Sequence, residues 1–148
     1  MNNKLVLLIF LFSFFVGCCS QSMIISDSTV TILEADCWLN LMPGGNPSFH
    51  YSGTFSVDKK FIDDYKFPFV KVFYKDEIIH QSQPFLQFYD ELITDSNKVV
   101  RYHFYSDQGI KVTEQMMKAE SVDLLLVFQI QDKTIEKLVK DIPLTRAY

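Results

Sequence analysis

Three histidines (His50, His80, His103) and three cysteines (Cys18, Cys19, Cys37) are the side chains of this sequence best suited to metal binding or nucleophilic attack. A nucleophilic cysteine needs a histidine within reach and access to substrate, and a metal centre needs ligands at short, regular spacing. The sequence holds no H-x-H, H-x-x-x-H or C-x-x-C run. His50 and His103 fall on outward strand positions and would meet if their strands were neighbours. Met42, Met116 or Met117 could then complete a soft copper site, since imidazole and thioether suit Cu(I). The acidic pairs Asp63-Asp64, Asp76-Glu77 and Asp90-Glu91 are adjacent in sequence, so in strands they point to opposite faces and cannot jointly flank a bond. A G-x-S-x-G elbow, a phosphate-cradling glycine loop and H-E-x-x-H are all missing from the sequence. The expectation is a protein with no catalytic residue, no cofactor and no metal.

The formal charge of −4 argues against non-specific nucleic-acid binding, which needs a basic face to displace counterions from phosphates. Fourteen Phe and seven Tyr point instead to an aromatic core. At the start, Lys4 precedes an apolar run over residues 5–16 that is shorter than the roughly 20 residues a membrane-spanning helix needs. That pattern predicts an export signal over residues 1–17, a polar tether over 18–28 and one folded domain over 29–148.

The elements that must position any site read as strands. Residues 30–41 place Leu33, Ala35, Cys37, Leu39 and Leu41 on one face and Trp38 on the other. Cys37 is therefore expected to be buried; a disulfide with Cys19 is the lesser possibility. A Pro43-Gly44-Gly45 turn leads to residues 49–57, where Phe49, Tyr51, Gly53, Phe55 and Val57 alternate with His50, Ser52, Thr54 and Ser56. Residues 67–74 and 77–81 form a hairpin about Lys75-Asp76. Residues 82–95 fit either helix or strand, with a lean toward strand. Strands over 98–105, 122–130 and 135–142 follow, with a loop or short helix over 110–121 and a tail after Pro143. About seven strands with short turns predict an all-β, immunoglobulin-like antiparallel β-sandwich, with a small barrel as the alternative.

Phe15-Val16-Gly17-Cys18 resembles the lipobox of bacterial lipoproteins, and with the Cys37-Trp38-Leu39-Asn40-Leu41-Met42-Pro43-Gly44-Gly45 segment the chain resembles small exported β-sandwich lipoproteins. The resemblance implies acylation of Cys18 and a lipid-anchored place in the bacterial cell envelope; a secreted or periplasmic protein is the alternative. It carries no catalytic residue across. The function expected is a non-catalytic structural or protein-interaction module with an envelope protein as partner. Trp38 and Tyr105 are its expected contact residues. A periplasmic domain for a small ligand or metal is the rival reading, and a hydrolytic enzyme the third.

Overall fold

A computed structural model describes residues 27–93, 98–107 and 109–148 of the chain. The two most regular alternating stretches form β1 (Val30–Asn40) and β2 (Ser48–Asp58), an antiparallel pair. A single turn of 3-10 helix at Lys59–Phe61 leads into β3 (Tyr65–Tyr74). The hairpin to β4 (Glu77–Ser82) closes through Lys75 and Asp76, both at positive φ (50° and 63°), as a type I′ turn requires. β5 (Phe85–Ile93), β6 (Lys98–Tyr105) and the two-residue β7 (Ile110–Lys111) follow. A five-residue helix α1 (Glu114–Lys118) is capped by Thr113, whose hydroxyl accepts from the Met116 amide at 3.2 Å. β8 (Ser121–Ile130) and β9 (Lys133–Ala147) complete the described chain.

The strand order is β4-β3-β8-β9-β1-β2-β6-β5, with β7 added beside β2. β9 serves two partners: as far as Pro143 it runs antiparallel to β8, and from Leu144 to Ala147 it runs parallel to β1. The sheet bends there, and its halves meet through aromatic side chains. Phe67 of β3 stacks on Phe128 of β8 at 4.3 Å between centroids, and Phe55 of β2 meets both rings edge-on, at 5.4 and 5.0 Å. The arrangement is all-β and sandwich-like, and it is not a closed barrel. β4 and β5 end the strand path, and although only Gln83 and Pro84 separate them in sequence, no ladder joins them among the described residues.

Among the described residues there are nine strands where the sequence predicts about seven, and the β1–β9 pairing is parallel where an antiparallel sandwich is expected. β7 is too short to leave a periodic trace. The supposed tail after Pro143 is the end of β9, whose Leu144 is 4% exposed and donates its amide to the Glu120 carbonyl at 2.8 Å.

A bulge corrects the expectation for Leu33 and a second sets the face of Phe67, because one extra residue moves everything after it to the other face. Leu33 is the unpaired residue between the Ile32 and Glu34 rungs and is 46% exposed, not inward. In β3 an extra residue between Lys66 and Phe69, beside Pro68, turns Phe67 into the core at 5% exposure, where simple alternation leaves its ring outside. Gly53 makes room for the Phe104 ring: a Cβ there would lie 2.5 Å from that ring and 2.3 Å from the Glu34 carbonyl oxygen.

Candidate functional site

The outer face of β1, β2, β6 and β5 gathers most of the residues singled out from the sequence. Trp38 of β1 stands opposite His50 of β2, and their rings stack at 5.3 Å and 12°. His50 Nε2 is 2.9 Å from Ser48 Oγ, which fixes the far edge of the imidazole. Partial burial holds its pKa below the usual histidine range, so at neutral pH the ring is uncharged. Tyr105 of β6 stands opposite Phe85 of β5, stacked at 5.8 Å and 20°, and His103 stacks on Tyr105 from the next outward position at 5.9 Å.

Between the two stacked pairs lies a shallow cavity of about 450 Å³ lined by His50, Phe85, Tyr105, Ser106 and Asp107. Ser106 anchors its floor: its amide donates to the Tyr51 carbonyl at 2.9 Å and its hydroxyl accepts from the Tyr51 amide at 3.3 Å. The floor is rigid because Tyr51 is itself fully buried, with its hydroxyl 2.8 Å from Ser82 Oγ in β4. The site therefore offers flat π surface, a neutral imidazole and a polar rim, which suits contact with apolar or aromatic groups.

No protein-family model, curated protein or solved structure matches the chain. Its residues alone carry the functional reading.

Trp38 and Tyr105, chosen from strand parity, lie on one face with β2 between them. His50 and His103 lie on the adjacent strands β2 and β6 but do not converge. His103 pairs with Thr54, four residues along β2 from His50, or about 13 Å at the usual strand rise. Met116 is buried in the core, while Met42 and Met117 are 56% and 46% exposed. Among the described residues no three His, Cys, Asp or Glu side chains are grouped to hold a metal ion. Cys37 lies inward, 2% exposed, and burial, with Asp36 adding to it, pushes its thiol up to about 12, far from the thiolate a nucleophile needs. Cys18 and Cys19 lie outside the described residues.

Sequence reasoning missed two partners on this face. Phe85 sits in the one stretch that fitted both helix and strand. The His50–Trp38 stack was available in principle, since both occupy outward positions of one hairpin.

Proposed function

We propose that this chain is a non-catalytic cell-envelope module that binds a partner protein through the outer face of β1, β2, β6 and β5, held at the membrane by acylation of Cys18. The observation that carries the reading is the pairing of Trp38 with His50 and Tyr105 with Phe85 about one shallow cavity, because exposed aromatic rings of limited freedom are efficient interface anchors. An immunoglobulin-like sandwich is the finer fold assignment, supported by the way β9 changes partner from β8 to β1. The test is co-purification of the detergent-solubilised chain with and without Trp38→Ala and Tyr105→Ala together. A partner held by the wild type and lost from a folded double variant is expected; undiminished retention would overturn the binding face. The anchor has its own test: Cys18→Ser is expected to release the protein from membranes, and unchanged detergent-extractable association would sink that part.

A small-ligand reading has one observation in its favour, the cavity volume of about 450 Å³, which falls within the range of small-molecule pockets. It predicts that an aromatic ligand alone perturbs the fluorescence of Trp38, the only tryptophan.

A further inference from the structure

β5 ends the strand path and pairs only with β6 among the described residues, so its other edge presents unpaired backbone donors and acceptors. Soluble proteins usually blunt such an edge with lysine, proline or brevity. This one runs for nine residues, from Phe85 to Ile93, with no lysine or proline among them. Six are large and apolar: Phe85 is 47% exposed, Leu86 39%, Phe88 60%, Tyr89 60%, Leu92 39% and Ile93 74%.

The two charges on the strand are already neutralised by its own chain. Arg101 holds Asp90 through two parallel contacts, Nε to Oδ1 at 2.6 Å and Nη2 to Oδ2. Lys59 Nζ reaches Glu91 Oε1 at 2.7 Å. An identical edge therefore meets no uncompensated charge.

We infer that β5 is the interface with a second copy of this chain, the two β5 strands pairing antiparallel about a two-fold axis through the Phe88 rung. Self-pairing in this sense lays the beginning of one strand against the end of the other, and both ends are apolar. The bulge between Phe88 and Asp90 shifts the alternation, so the faces match as well. Phe85 and Leu92 both lie on the outer face, opposite Tyr105 and Val99, so the axis at the Phe88 rung sets Phe85 of each copy against Leu92 of the other. At about 200 Å² for each fully exposed large side chain, one strand contributes roughly 600 Å² of surface. Two copies then bury at most about 1,200 Å², the lower bound of a standard stable interface. An isologous contact of this kind closes at two copies.

Sedimentation equilibrium of the full chain in density-matched detergent tests the inference. Twice the monomer mass is expected for the wild type, and monomer mass for Phe88→Lys combined with Ile93→Lys, the far-ultraviolet circular dichroism being unchanged. Trp38→Ala alone, on a strand that pairs with β2 and β9 and not with β5, is expected to leave the dimer intact, which separates this interface from the partner-binding face. Amide exchange in the wild type gives a second readout that needs no variant: β5 amides are expected to become protected as protein concentration rises. A wild type that stays monomeric, a dimer that survives the lysines, assemblies larger than two, or β5 protection that requires another protein would each overturn the proposal.

Discussion

Gly53 shows how little room single residues leave in this core. The Glu34 carbonyl oxygen on one side and the Phe104 ring on the other both fall inside the space a Cβ would take. The ring could shift, but the backbone oxygen cannot move without loosening the β1–β2 ladder. Gly53→Ala is therefore expected to cost about 3 kcal/mol, the upper part of the overpacking range, measured as a drop in the urea midpoint with unchanged slope. His80 raises a different problem. It stands opposite Val72, with its Nε2 buried and without a hydrogen-bond partner among the described residues. Burial lowers its pKa, as it does that of His50. The unfolded chain then binds protons that the folded chain refuses, so stability is complete above the ordinary histidine value of 6.5 and is lost as pH falls below it. Unfolding midpoints are expected to decline on acidification through that value, and His80→Phe to flatten the decline, leaving the part due to His50.

Among the elements, the long strands with one buried face were legible, because alternation survives wherever a ladder is regular. β2 follows its predicted faces except that Thr54, on the outward side, is buried, and the inward placing of Cys37 and outward placing of Trp38 come from the same rule. What failed was what alternation cannot carry. A bulge leaves no compositional mark beyond an occasional proline, so strict alternation puts Leu33 inward and Phe67 outside, each the face opposite to the one it takes. A proline ordinarily ends a strand, so the sequence predicts that β9 stops before Pro143, whereas Pro143 stands opposite Ser121, at the point where β9 changes partner. Asp141, just before it, takes φ of 55° in a bulge and donates its amide to Asp123 Oδ1 at 2.8 Å. The last residues of β9 matter for stability. Leu144→Ala is expected to cost about 2–5 kcal/mol by opening a cavity between the sheets, and calorimetry would show it.

For the whole molecule, the division of aromatic side chains between inside and outside is the organising fact. Phe55, Phe67, Phe104 and Phe128 join the two halves of the sheet, while Trp38, Phe85 and Tyr105 remain on the outer face and Phe88 and Tyr89 on the open edge. Phe85 joins the two surfaces, as the ring stacked on Tyr105 and as the first residue of the open edge. The parallel pairing of β1 with the end of β9 has a further, mechanical meaning. Cys37 to Asn40 lie beside Leu144 to Ala147 with both strands running the same way, and the Leu41 amide extends the ladder to the Ala147 carbonyl at 2.7 Å. A load drawn through the Val30 end of β1 and the Tyr148 end of β9 pulls these strands lengthwise past each other, so their hydrogen bonds share the tension and must break together. Stretched in that direction by single-molecule force spectroscopy, the protein is expected to yield in one high-force event. Pulled instead across the β3–β4 hairpin, where bonds open one at a time, it is expected to unzip at far lower force.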